Sequence, residues 1–472
     1  MKSSIRNMLI LLIAVGLLVG AYILISNTEK KGGSDKDTSS IKVVDISSDD
    51  IMQITVENQG QRFVFEREIV KEKDNEGKET EKKVWKVAEP AGLKVDESKI
   101  NSIAINFSTI FADKIIEDDA KDLAIYGLDK PAVVTAKLKD GSYKTIEIGD
   151  MTPTRGAYYF KEKGSNKVYT MGSYTAEKLK VAKNQIRSTK LVEVEDNSVI
   201  ELSMSRNSKQ IFEATKAGEF DWQINYPIQG NANADALMPM IQAITQANVS
   251  EFVEEEPSDL SKYGLDKPSY EIGFKTADYS NSLLIGKPKR AGSDFYVKLQ
   301  DSPEVFVISS SAFTFLDKPI EEIVEVFAYI VNIQDVSRLV VEIDGKTVDC
   351  GIQTDKDDKD KDKFTVNGKD VSGLKDEKDS QLFRKFYQAV IGVTLAKVQP
   401  EAQPEGPAEI TFTYYLKKAP GQMKVEFKPK DDRYYYVVKN GVYSGILVNK
   451  KKFDEPEGVR EALKKLEDTM NK

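Results

Sequence analysis

Few side chains in this 472-residue chain could do chemistry. It contains no His and a single Cys, Cys350. A Ser-His-Asp triad, a Cys-His pair and a His-ligated zinc or haem site are therefore impossible within it. An internal disulfide would need a second cysteine. Ser372-Gly-Leu-Lys375 has the S-x-x-K spacing of penicillin-binding enzymes, in which the Ser is the nucleophile, and Ser39-Ser-Ile-Lys42 has it again. The K-T-G and S-D-N partners do not stand in a matching arrangement. Glycoside cleavage needs a pair of carboxylates, and nothing singles out a pair among the 76 Asp and Glu. No P-loop or dinucleotide fingerprint occurs. The run Asp355–Lys363 alternates acids with bases but lacks the turn Gly and distal Glu of a calcium loop in register, so it reads as a solvated, disordered hairpin tip. Glu254-Glu255-Glu256 reads as a charge run at a helix end. The expectation is a chain without catalytic residues, cofactor or metal.

The strongest pattern is repetition. Tyr126-Gly127-Leu128-Asp129-Lys130-Pro131 returns as Tyr263-Gly264-Leu265-Asp266-Lys267-Pro268, 137 residues later. Trp85 and Pro90 return as Trp222 and Pro227, Ile148-Gly149 as Ile285-Gly286, and Tyr159 as Tyr296, all at that offset. A worn third copy shows Val336–Val341 in place of Val199–Met204, Phe364 near the Trp position, Pro407–Phe412 as a strand start and Tyr434-Tyr435-Tyr436 as the tyrosine strand. Its Tyr-Gly-Leu-Asp-Lys-Pro loop is replaced by the Pro- and Glu-rich stretch 400–407.

The twice-presented loop has two readings. As a structural turn, Gly supplies a left-handed residue, Leu an inward plug, Asp a local backbone hydrogen bond and Pro a strand start. As a recognition loop, Tyr126, Gly127, Leu128, Asp129 and Pro131, with Tyr263, Gly264, Leu265, Asp266 and Pro268, would face a partner. The two tryptophans suit core anchors. The tyrosine strands could stack on sugars, although strand propensity accounts for them and neighbouring tyrosines face opposite ways.

Elements to hold these motifs follow from periodicity. Ile51–Val56 alternates as a strand and Arg62–Glu66 returns. Ile100, Ile103, Phe107, Ile110 and Phe111 fall at helical spacing behind Asp96 or Ser98 as N-cap. The second unit repeats this with Leu237, Ile241, Ile244 and Ala247. Two hairpins follow, turning at Asp140-Gly141 and Gly164-Ser165, and a short helix near Ala176–Val181 closes the unit. The predicted fold class is α+β: an N-terminal transmembrane helix, then three tandem repeats of antiparallel sheet plus helix, the third degenerate. The expected divisions are 1–7 cytoplasmic, 8–25 anchor, 26–40 flexible linker, and repeat domains 41–190, 191–332 and 333–472. The length suits roughly three domains of ~150 residues.

Met8–Ile25 is uncharged throughout. At 1.5 Å per residue it makes about 27 Å of helix, enough for a bilayer's hydrocarbon core. Lys2 and Arg6 precede it, while the segment after it mixes acids with bases, so the bias puts the N-terminus in the cytoplasm and the bulk of the chain outside. A cleaved signal peptide is the competing reading, with Val19-Gly20-Ala21 near a cleavage site. Tyr22–Ile25 extends the apolar run past that point and favours the anchor. The net charge of −8 argues against nucleic acid as a partner.

The Trp-x-x-x-x-Pro strand, the Tyr-Gly-Leu-Asp-x-Pro loop, Ile148-Gly149-Asp150 and the Tyr-Tyr strand, together with the anchor, resemble the bacterial domain-of-unknown-function 4340 family. The resemblance covers the first two units well and the third weakly, and Lys287 stands where Asp150 would repeat. It implies a membrane-anchored extracytoplasmic protein associated with ABC-type transport systems, and it brings no catalytic residues. The expected function is a single-pass binding or scaffold protein accessory to such a transporter, binding a transporter subunit, a secreted substrate or the cell wall. The alternative is a carboxylate-dependent cell-wall glycan-processing enzyme.

Overall fold

The computed structural model describes residues 41–73, 79–419 and 421–471. The expected anchor at 8–25, the linker and Ser39 lie outside the described residues. Among the described residues, no helix is long and apolar enough to cross a membrane.

Three large sheets dominate, of eight, nine and nine strands, and every pairing in them is antiparallel. The first starts from the alternation of Ile51–Asn58, in which Ile54 and Val56 are buried while Gln53, Thr55 and Glu57 are not. Across the sheet the order is Glu79–Glu89, Gln61–Lys73, Ile51–Asn58, Ala132–Leu138, Tyr143–Met151, Ala157–Glu162, Val168–Gly172 and Lys114–Glu117. The second and third sheets have the same order. Their central strands are Glu201–Arg206 beside Tyr270–Lys275 and Val336–Ile343 beside Ile410–Leu416. Each adds a two-residue strand, Gly230–Asn231 or Lys369–Asp370, at one edge. Thus the worn third copy keeps the whole strand order although its loop motif is gone.

In each repeat one helix lies between the first three long strands of the sheet and its edge strand: Glu97–Ser108, Ala234–Thr245 and Leu382–Ile391. Asp96 caps the first, accepting the Ser98 N–H at 3.0 Å. Its stripe of Ile100, Ile103, Ala104 and Phe107 is buried. The expected α+β class is corrected. Strand outweighs helix, 44% to 20%, and the fold is predominantly antiparallel β. Two physical causes account for the difference. The helix stops at Ser108, because β-branched Thr109 and Ile110 pass straight into a strand, Thr109–Ala112, that pairs with Ile41–Asp45. Short segments that carry little periodicity, such as Lys114–Glu117, Val249–Glu254 and Leu395–Val398, close each sheet as edge strands.

The chain divides into two compact units, one ending at Ser188 and one running from Thr189. The first has its own core around Ile54, Phe65, Trp85, Phe107 and Ile148. In the second unit the two sheets share one continuous core. There the segment 320–328 ties to both: the Glu325 N–H reaches the Asn231 carbonyl at 2.9 Å, and the Ala328 N–H reaches that of Val393 at 2.9 Å.

The acid–base run 355–363 is ordered in the structure, contrary to the expected disorder. Asp362 is the reason. Its carboxylate is buried, pairs with Arg384 and accepts the Asp355 N–H at 2.8 Å. A charge hidden in this way must be paired, and Arg384 supplies the pair.

Candidate functional site

The two Tyr-Gly-Leu-Asp-Lys-Pro loops fold alike. In the first unit a single helical turn, Ala124–Tyr126, ends at Gly127 with φ 66°. Asp122 accepts the Ala124 N–H at 3.0 Å, and the Leu128 N–H returns to the Leu123 carbonyl at 3.0 Å. This turn drives Leu128 inward against Ala120 and Val168. In the second unit the turn Ser261–Tyr263 ends at Gly264, φ 68°, Asp259 accepts the Ser261 N–H at 2.9 Å, and Leu265 packs on Val305. Glycine adopts such a φ at the least steric cost.

A second pair of glycines receives each loop. A Cβ on Gly149 would lie 2.1 Å from the Tyr126 carbonyl oxygen, and one on Gly286 would lie 2.2 Å from that of Tyr263. The Ile-Gly strand end and the Tyr-Gly-Leu loop, read separately in the sequence, are therefore two halves of one contact.

The tyrosines complete it. Tyr126 tilts against Tyr159 with ring centroids 4.9 Å apart, and its hydroxyl donates to Glu117 at 2.9 Å. Tyr263 tilts against Tyr296, also at 4.9 Å, and donates to Glu254 at 2.6 Å. Glu117 and Glu254 close their edge strands, so each hydroxyl ties the loop to the sheet's edge. In the second unit Lys262 joins, 2.5 Å from Glu254. The ammonium, and then the Tyr263 hydroxyl, hold the Glu254 carboxyl below the usual carboxylate range. The Tyr126 hydroxyl is pushed up, first by its bond to Glu117.

Of the ten loop residues singled out in the sequence, Tyr126, Leu128, Tyr263 and Leu265 meet in these plugs, and Gly127 and Gly264 make the turns. Pro131 and Pro268 are half-buried ahead of strands Ala132–Leu138 and Tyr270–Lys275. Asp129 and Asp266 are exposed, and their carboxylates make no hydrogen bond among the described residues. The backbone-locking role expected of them belongs to Asp122 and Asp259. Those two and Glu117 went unnoticed in the sequence, and Glu254 was read only as part of a charge run, although Asp122 with Asp259 and Glu117 with Glu254 stand at the 137-residue offset. Glu254 also ends a strand rather than a helix, which corrects the reading of the Glu254–Glu256 run.

The strand behind the plug differs in charge between the units. Buried Lys161 pairs with Glu147 at 2.5 Å. At the matching place Lys298 faces Leu284 instead, donates to the Leu299 carbonyl at 2.9 Å, and burial pushes its amine down. Asp150 and Lys180 are replaced by Lys287 and Asp317, so both signs are exchanged.

Other chemically suggestive groups are structural. The Ser372 hydroxyl donates to Asp370 at 2.6 Å and accepts the Phe364 N–H at 2.8 Å, while Lys375 pairs with Asp379 at 2.9 Å. Burial pushes the Cys350 thiol up to about 12, so it stays protonated and inert. Among the described residues no group of three or more acids and cysteines could hold a metal ion.

Two overlapping stretches, residues 85–229 and 222–399, match the family described as Domain of unknown function (DUF4340). The chain belongs to that family. The two DUF4340 copies begin on Trp85 and Trp222, 137 residues apart, which is the offset read from the motifs. Each copy opens on the third strand of a sheet, and the second ends just past the strand Leu395–Val398 of the third sheet. No curated protein and no solved structure matches the chain.

Proposed function

We propose that this DUF4340 protein is a non-enzymatic, single-pass membrane protein whose bulk is extracytoplasmic, and that it serves as a binding or scaffold subunit accessory to an ABC-type transport system. The observation that carries this reading is the uncharged run Met8–Ile25 with Lys2 and Arg6 before it. Three sheets of one strand order on one chain suit a scaffold, since each offers a similar set of strands and edges. Ser372 and Lys375 are held by local hydrogen bonds and Cys350 is buried, which favours binding over chemistry.

The test is crosslinking in intact cells followed by affinity purification from solubilised membranes. Recovery of transporter subunits in proportion to crosslinker supports the accessory role. Recovery of this chain alone at every crosslinker level contradicts it.

A further inference from the structure

The outward face of each sheet carries one row of five positions, running across four strands to the residue that follows a fifth. In the first sheet the row reads Val64, Thr55, Thr135, Thr145, Lys163. In the third it reads Asp349, Val340, Thr413, Lys424, Asn440. In the second it reads Glu213, Ser203, Gly273, Ser282, Gln300. The first row is filled by β-branched side chains, with the Thr135 and Thr145 hydroxyls bonded at 3.0 Å. The third keeps β-branched Val340 and Thr413 and adds Lys424, which reaches Glu426 at 2.9 Å, while Arg338 beside the row grips Asp349 at 2.7 Å. In the second row the three central side chains shrink to Ser, Gly and Ser, and a groove of about 580 Å³ opens over them.

That volume falls within the ~300–1,000 Å³ of small-molecule sites. Gly in a central strand gives up packing, and such glycines mark places where a ligand or another backbone comes close. A Cβ at Gly273 would lie 2.5 Å from the Ser203 hydroxyl, so glycine leaves that hydroxyl its room as well as the groove its depth.

The lining defines the ligand. The hydroxyls of Ser203 and Ser282 make no hydrogen bond among the described residues, which leaves donors and acceptors on the floor. Gln300 adds an amide at one side. On the rim, Glu201 and Lys275 neutralise each other at 2.7 Å, while Glu213 and Asp301 add two more carboxylates. The rim is therefore net negative and repels anions. Glu213 and Asp301 are solvent-exposed, so they hold a bare cation weakly. What the groove supplies in number is directional hydrogen bonding, in which carboxylates accept from hydroxyls and serines serve either way.

We propose that this groove binds a neutral saccharide of one or two rings. The proposal stands on the carved row alone and not on the anchor or the accessory role, so its failure would leave those intact.

The test uses the full chain in a detergent without a sugar headgroup. Saturation-transfer NMR is run with glucose, N-acetylglucosamine, maltose and chitobiose, with spermidine and inorganic phosphate as charged probes. At least one saccharide is expected to show transfer. The combined variant Ser203→Thr, Gly273→Thr, Ser282→Thr rebuilds the first sheet's row and should abolish that transfer, while its circular dichroism stays native because threonine favours strands. Glu213→Gln, on the exposed rim, should weaken binding about tenfold through loss of a charged acceptor, even if the triple variant fails to fold. Transfer to no saccharide overturns the proposal. So does transfer only to spermidine or phosphate, or saccharide transfer unchanged in Glu213→Gln and in a folded triple variant.

Discussion

The first two repeats and the third fasten the same edge strand by different means. In the first two, a tyrosine from the Tyr-Gly-Leu loop lies against a strand tyrosine, Tyr159 or Tyr296, and its hydroxyl holds a glutamate that closes the edge strand. The third repeat has lost that loop, yet Tyr436 occupies the place of Tyr159 and Tyr296 and still has a tyrosine partner. That partner is Tyr443, from the neighbouring strand, at 5.4 Å. Its hydroxyl donates to the Gln399 carbonyl at 3.0 Å, one residue past the edge strand Leu395–Val398. The tie is thus kept while the residue making it moves. A loop that can be replaced by another way of tying the same strand is explained by packing, and the twofold repeat of its motif follows from that packing.

The comparison is broken most severely by removing a plug. Leu128→Ala or Leu265→Ala should cost about 2–4 kcal/mol, from lost burial and the cavity left behind. Hydrogen exchange should show the loss confined to the sheet whose plug is cut. If either change is silent, the loops are not packing elements. Next, Gly286→Ala sets a methyl against the Tyr263 carbonyl and should cost about 2 kcal/mol, as overpacking does. A urea midpoint equal to that of the parent would contradict the close contact.

Tyr126→Phe and Tyr443→Phe should each cost about 1 kcal/mol, the net worth of one hydrogen bond. Equal costs would sharpen the claim that the two ties are equivalent. Tyr263→Phe adds a pH signature. Because Lys262 and Tyr263 lower the folded pKa of Glu254, the stability from this group is present above its unfolded pKa and is lost as the pH falls through the folded value. The gap in urea midpoint between parent and variant should therefore narrow on acidification below about pH 4. A gap that widens there would contradict the assignment. The smallest effect is expected of Asp129→Ala and Asp266→Ala, whose carboxylates are exposed: no change in stability. A loss of crosslinked partner in these two variants, with stability intact, would bring back the recognition reading.

The plugs were partly legible in the sequence. Gly127 and Leu128 follow from turn geometry and from an apolar residue among polar ones. Their tether was not, because Glu117 and Glu254 sit in acidic stretches that read as solvated surface until the pairing of the edge strand brings them to a tyrosine nine positions on. The helix behind Asp96 was legible up to Ser108. Ile110 continued its spacing, but spacing cannot tell a last turn from a strand when the partner, Ile41–Asp45, lies over sixty residues away. Ordering of the run 355–363 depends on one burial, that of Asp362, which no local pattern marks. The groove of the second sheet becomes visible only when the strands are aligned, since Ser203, Gly273 and Ser282 are far apart along the chain.

The proposed placement of the three-sheet body across the bilayer from Lys2 and Arg6 is tested most directly by thiol labelling, for which the lone, buried Cys350 gives a silent background. Ser311 is exposed, and Ser311→Cys is offered to a membrane-impermeant maleimide in cells whose outer layers are permeable and whose inner bilayer is sealed. Labelling of Ser311→Cys before lysis, with Ser3→Cys labelled only after lysis, is the predicted result. Labelling of Ser311→Cys only after the inner bilayer is opened would contradict it.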